Sequence, residues 1–318
     1  MKKKSLLTIL LVVIVAAVAW FGWSSTHQTT ATKLTTVTIG YQKADPVDIS
    51  RARGELAKKM KAKGYKVVFK EFQDGTALTT ALKSGDIDYA RVGDVPPVTA
   101  QANGLDFVYV AAGSDKVQGS GIEVKKTSGI TSLADLKGKT IAYTKGTSSQ
   151  YMLIQALKKA GLSTSDVKMV SMDQATAAVA FAKGTVDAWA SWDPYTATAE
   201  VNNDATLLVD DTGLAKNRDF LISTETYASK NKDISKLLTK YLGEDMTWAN
   251  NHKSQLTTML MKMLKLKKSI VTKMVDRRTY SFGSVTDSIL KEQQSIADVF
   301  YQQKVVSKKV DVTKATVK

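Results

Sequence analysis

Ala81-Leu82-Lys83-Ser84-Gly85-Asp86-Ile87-Asp88 returns 99 residues later as Ala180-Phe181-Ala182-Lys183-Gly184-Thr185-Val186-Asp187, and the same offset carries Asp94 onto Asp193. Each copy reads as the end of a helix, a glycine that closes it, an apolar strand, and a loop bearing an aspartate. The repetition predicts two similar α/β halves, although a common preference in βα turns gives the same pattern without a second half. Ligands of open α/β sheets bind beyond the C-terminal ends of strands. If the halves face each other, both aspartate loops look into one cleft.

Working outward, residues 37–41 read as a buried strand, 49–63 as one helix closed by Gly64, and 66–72 as a second strand. Residues 76–83 read as a helix, and 87–92 and 107–111 as strands around a short helix opened by Pro96 and Pro97. The pattern then restarts, with strands at 140–143, 167–170 and 186–190 and helices at 148–160 and 175–183. This alternation predicts mostly parallel sheets covered by helices. After Leu221-Ile222-Ser223 the chain turns helical, through 233–252, 255–266 and 287–301. The Met-rich stretch 259–274 has the spacing of an amphipathic helix with a lysine-covered outer face. The organisation expected is a first lobe over 34–120, a second over 121–218, and a return to the first over 219–318.

The segment before the fold is of another kind. Lys2, Lys3 and Lys4 precede residues 6–23, which carry no charge, and this marks an export segment. Ala17-Val18-Ala19 offers a cleavage site, while the length of the run also suits a membrane anchor, the reading favoured here. Residues 24–33, rich in Ser and Thr, read as a tether. The 318 residues contain no cysteine, so disulfides and a cysteine-linked lipid are excluded. Net charge is +15, three units of it from the export lysines. A basic surface of this kind is drawn to anionic polymer or lipid. Nucleic acid fits poorly, because the lysines are scattered among acids with no basic helix interleaved with aromatics.

Enzyme chemistry finds little footing. His27 and His252 are the only histidines, one in the tether and one on a surface helix, so no Ser-His-Asp set forms. There is no histidine-bearing metal spacing and no phosphate loop, and neither a metal nor a cofactor is expected. The informative stretch is Thr140-Ile141-Ala142-Tyr143-Thr144-Lys145-Gly146-Thr147-Ser148-Ser149, where a strand ends, Gly146 permits a turn, and hydroxyls precede a helix. Free N–H groups and the helix dipole there suit an anion. The same residues also make a plain N-cap. Trp192-Asp193-Pro194 places an apolar wall beside a polar anchor, or simply a core indole beside a helix cap. Asp94 in Gly93-Asp94-Val95-Pro96-Pro97 carries the same two readings.

Taken together, these stretches resemble the aliphatic sulfonate-binding proteins of ABC importers, within the wider class that binds sulfonates, taurine, nitrate and thiamine precursors. The similarity lies in Ile39-Gly40-Tyr41-Gln42-Lys43, the Gly93 to Pro97 stretch, Asp135-Leu136-Lys137-Gly138-Lys139, Tyr143 to Ser149, Asp187 to Tyr195, and Glu292 to Tyr301. It implies a two-lobed fold of the type II periplasmic-binding-protein kind, closing over a small organic anion and docking on a permease driven by an ATPase. It further implies Gln42, Asp94, Gly146, Thr147, Ser148, Ser149, Trp192, Asp193 and Arg278 as ligand-binding residues, with Arg277 competing with Arg278 for the basic position. The chain departs from the pattern at Gln150-Tyr151 and at Arg91, where a smaller or neutral residue is expected. Fold-related enzymes, a desulfinase and a pyrimidine-precursor synthase, require cysteines that this chain lacks. The resulting expectation is a monomeric, exported binding protein for aliphatic sulfonates. Taurine, nitrate and a pyrimidine remain alternative ligands.

Overall fold

Strand β1 (Thr35–Tyr41) is the first element because Val37 and Ile39 alternate with polar residues and bury fully. The structure, a computed structural model, describes residues 34–316. The export segment and tether assigned to residues 1–33 lie outside the described residues. Helices α1 (Pro46–Arg53) and α2 (Glu55–Ala62) follow. Together they replace the single helix expected over 49–63, because Gly54 adopts φ 76° and closes α1 with a bond to the Ser50 carbonyl. Then come β2 (Tyr65–Glu71), α3 (Gly75–Ser84), β3 (Tyr89–Val92), α4 (Val95–Ala102) and β4 (Phe107–Gly113).

The second half holds β5 (Ser120–Lys125), β6 (Thr140–Tyr143), α5 (Ser148–Lys159), β7 (Lys168–Ser171), α6 (Gln174–Lys183), β8 (Ala188–Trp192), α7 (Tyr195–Asn202) and β9 (Ala205–Asp210). The chain then returns through β10 (Phe220–Thr224), α8 (Glu225–Lys230), α9 (Lys232–Asn251), α10 (Lys253–Leu264), α11 (Lys268–Asp276), β11 (Phe282–Gly283) and α12 (Asp287–Gln302).

Two sheets result, one of six strands in the order β11-β4-β10-β3-β1-β2 and one of five in the order β7-β6-β8-β5-β9. The expectation of mostly parallel sheets is corrected: β1–β3, β6–β7 and β6–β8 are parallel, whereas β5 and β10 pair antiparallel with both neighbours. These two strands arrive from the opposite half. Each enters its new sheet at the end where the parallel strands finish, so it must run back against them. The two crossing segments, between β4 and β5 and between β9 and β10, are hydrogen-bonded to one another: Lys116 N donates to Lys216 O and Asp211 N to Val117 O.

Helices α9, α10 and α11 contribute Leu238, Leu260 and Val271, all fully buried, to the same core as Val37 and Ile39. Each such side chain contributes roughly 1.5–3 kcal/mol through burial. Met259, Met261 and Met263 are half-buried against the same core, but the single amphipathic helix expected over 259–274 is corrected: Lys265 at φ 55° ends α10 and a new helix starts at Lys268.

Candidate functional site

Between the two sheets lies a cleft of about 110 Å³. The first sheet's side contributes Gln42, Arg91 and Gly93; the second contributes Thr147, Ser148, Trp192 and Asp193. Lys116 and Asn217 enter from the crossing segments and Arg278 from beyond the end of α11. Residues far apart in sequence meet here because β1, β3, β6 and β8 all end toward the cleft.

The wall at the start of α5 is built by backbone chemistry. Gly146 takes φ 72°, which a side chain would disfavour, and its N–H donates to Gln150 Oε1 at 2.8 Å. Thr147 Oγ1 donates to the Thr144 carbonyl at 2.7 Å, and Ser149 Oγ accepts from Thr144 N at 3.1 Å. Both hydroxyls thus fold the turn rather than cap the helix, and Thr147 makes no side-chain capping bond. Gly146 and Ser149 therefore shape the wall from behind. Ser148 is half-buried, and its hydroxyl makes no hydrogen bond among the described residues. The helix consequently presents orphan N–H groups, the positive end of its dipole and one free hydroxyl to the cleft. Gln150, noted in the sequence as a departure, is the residue that pins the glycine.

Opposite stands a cluster of cations. The Asp219 carboxylate, 1% exposed, receives Arg91, Lys116 at 2.5 Å and Arg278 at 2.7 Å. Arg91 also donates to Gln42 Oε1 at 3.0 Å and lies 3.5 Å from Asp45. Burial pulls the Arg91 guanidinium down to about 10, against the support of Asp45. Burial, with Arg91 and Arg278 nearby, drives Lys116 well below the ordinary lysine range. Asp45 is pushed up to about 6 by burial. The sequence marked Arg91 only as unusual and missed Lys116 and Asp219 altogether, since lone charged residues in connecting segments carry no periodic signal.

Two expected ligand residues, Asp193 and Asp94, are placed differently from the rest. Arg277 grips Asp193 with two nitrogens, Nε at 2.9 Å from Oδ2 and Nη2 against Oδ1, while its Nη1 reaches Glu200 at 2.7 Å. Asp193 borders the cleft but is held as an ion-pair partner; Arg278, not Arg277, is the arginine on the cleft wall. Asp94 is corrected more fully. Its side chain lines a second cavity beside residues 213–216 and α12, because the loop turns into α4 at Asp94 (φ −76°, ψ −29°) and leaves Gly93 and Pro96 on the cleft side. Neither Asp94 carboxyl oxygen makes a full hydrogen bond, and burial raises the group to about 6 despite the nearby Lys116.

This geometry has close counterparts. The NMT1/THI5 like family model matches residues 60–255. A relative from Escherichia coli (strain K12), named as an aliphatic sulfonates-binding protein, is 34% identical over 275 residues, 86% of each chain. The crystal structure of the periplasmic aliphatic sulphonate binding protein from Escherichia coli superposes with a TM-score of 0.84 at 33% identity, covering 89% of this chain and 97% of that one. The alkanesulfonate-binding protein from Xanthomonas axonopodis pv. citri, solved bound to MOPS, also gives 0.84, at 31% identity over 89% and 98% of the two chains. With two sheets facing across one polar cleft and similarity along most of its length, this chain belongs to the NMT1/THI5-like family, among its aliphatic sulfonate-binding proteins.

Proposed function

We propose that this protein is the substrate-binding component of an ABC importer and captures aliphatic sulfonates for import. The observation that carries the reading is the pairing of walls in the cleft. The uncapped start of α5 with Ser148 faces a wall where Arg91, Lys116 and Arg278 converge on one carboxylate. A sulfonate is ionised at any physiological pH and offers three acceptor oxygens, so orphan N–H groups, a hydroxyl and a cation can act on it together. Trp192 adds an apolar surface for the carbon chain. MOPS, the ligand of the Xanthomonas relative, is itself a sulfonate.

The role needs a permease and an ATPase as partners, export to the outer face of the membrane, and a monomer able to close over its ligand. Attachment through residues 6–23 is part of the proposal; among the described residues no helix is long and apolar enough to cross a membrane. A binding role without turnover is supported by a chain that has no cysteine and by a cleft whose lining includes no histidine.

The test is calorimetry with methane-, butane- and octanesulfonate beside taurine, nitrate and a carboxylate of matched length, with sulfite release assayed in parallel. Sulfonates should bind, raise the melting temperature and be recovered intact. Heats from nitrate or the carboxylate with none from any sulfonate would remove the reading.

A further inference from the structure

Between Asp245 and Asp276 the chain has no acidic residue at all, yet it carries six lysines. Four of them, Lys262, Lys265, Lys267 and Lys268, crowd the end of α10, the start of α11 and the turn between them, and all four are exposed. None of the four side chains makes an ion pair or hydrogen bond among the described residues. Several other surface lysines do meet an acid: Lys58 meets Glu55, Lys59 and Lys240 meet Glu244, and Lys126 meets Asp204. Met263, Leu264 and Leu266 lie between the free lysines and Met261 just before them, all only half-buried against the core.

From this we infer that the α10–α11 turn is a docking surface for an anionic phospholipid bilayer. Four unpaired cations without a nearby acid in sequence complement a phosphate-bearing surface. The interleaved, half-exposed methionines and leucines favour a bilayer over a purely polar polyanion, because they gain from entering the boundary between headgroups and chains. The inference rests on the reading of an exported protein held at the membrane. Helix α11 leads from Lys268 to the Arg277–Arg278 pair, a rise of roughly 13 Å for nine residues. Docking by the turn thus sets how far from the bilayer the cleft wall stands.

The test uses the full chain reconstituted with vesicles of phosphatidylcholine alone or with phosphatidylglycerol added, followed by mass-spectrometric footprinting of lysine methylation. Labelling of Lys262, Lys265, Lys267 and Lys268 should fall about fivefold or more in the anionic vesicles only, and return at 0.5 M salt. A chain carrying K262Q, K265Q, K267Q and K268Q should bind sulfonates like the parent, while Lys58 and Lys126 label alike in both vesicle types for either chain. Equal labelling of the four lysines in both vesicle types overturns the docking surface. Equal protection by a soluble glycerol-phosphate polymer at the same phosphate concentration overturns the bilayer as its occupant. Vesicle flotation in high salt reports attachment separately, so failure of the anchor and failure of this surface give different results.

Discussion

The loops bearing Asp94 and Asp193 start from nearly the same local structure and end in opposite roles. Asp74 and Asp173 cap α3 and α6 by accepting from Ala77 N and Thr176 N. Gly85 and Gly184 close those helices at φ 80° and 71°. Asp88 and Asp187 then tie the following strand to its neighbour by accepting from Thr38 N at 2.7 Å and Thr140 N at 2.8 Å. After the strands the copies part. Asp193 is gripped by Arg277, which arrives 84 residues later, whereas Asp94 is buried without a full hydrogen bond. Local sequence therefore sets caps, glycines and register, and a distant partner decides what each aspartate does.

Breaking the Asp193 side should have the largest effect. Arg277→Met leaves Asp193 and Glu200 without their shared cation in a mostly buried setting, a loss of about 3–5 kcal/mol. Urea unfolding measures it, and a loss below 1 kcal/mol would show that the grip is ornamental. Ser148→Asp comes next, for it sets a carboxylate at the positive start of α5 and at the mouth of the cleft. Sulfonate affinity should drop about a hundredfold or more while the melting temperature stays near the parent's. Calorimetry on the folded variant decides between this and a site elsewhere.

Asp94 sharpens the comparison from the other side. Its carboxyl is raised from 3.8 to about 6, so between those values the folded state holds a proton that the unfolded chain has released. The folded state is then favoured at low pH, and stability is lost as pH climbs through about 4 to 6. Glu123 and Asp211, raised by burial to about 8 and 7, extend the decline upward. Asp94→Asn should remove its share, flattening the curve between pH 4 and 6 and stabilising the protein at pH 7 by about 3 kcal/mol. Melting temperatures of parent and variant across that range check it; a parent curve that falls no more steeply than the variant's between pH 4 and 6 would remove Asp94 as the cause.

The same contrast explains what could be read from the sequence. Helix α5, expected over 148–160, forms over Ser148–Lys159, and α6 over Gln174–Lys183, because apolar period and terminal glycine agree. Strand β5 was invisible: Ser120–Lys125 is a short run whose buried Glu123 breaks the apolar pattern. Gln42, Ser148, Trp192 and Arg278 meet in the cleft as the family motifs imply. The functions of Thr147 and Ser149 were not legible, since a hydroxyl before a helix looks the same whether it caps, folds a turn or faces a ligand. Lys116 and Asp219 acquire meaning only when the crossing segments meet.

At the 99-residue offset Trp192 is matched by Gly93, and both line the cleft, so one wall offers an indole where its counterpart offers no side chain. The carbon chain of a sulfonate should therefore lie along the Trp192 side. Each methylene buried there contributes about 0.8 kcal/mol, roughly fourfold in affinity. Trp192→Ala should reduce that increment, so that methanesulfonate loses little while octanesulfonate loses much. On the proposed reading the charged end meets α5 and the cations instead, and should not feel the change. The measurement is a plot of log affinity against chain length for parent and variant. Two lines of equal slope, merely displaced, would show that the indole supports the anion site rather than the tail.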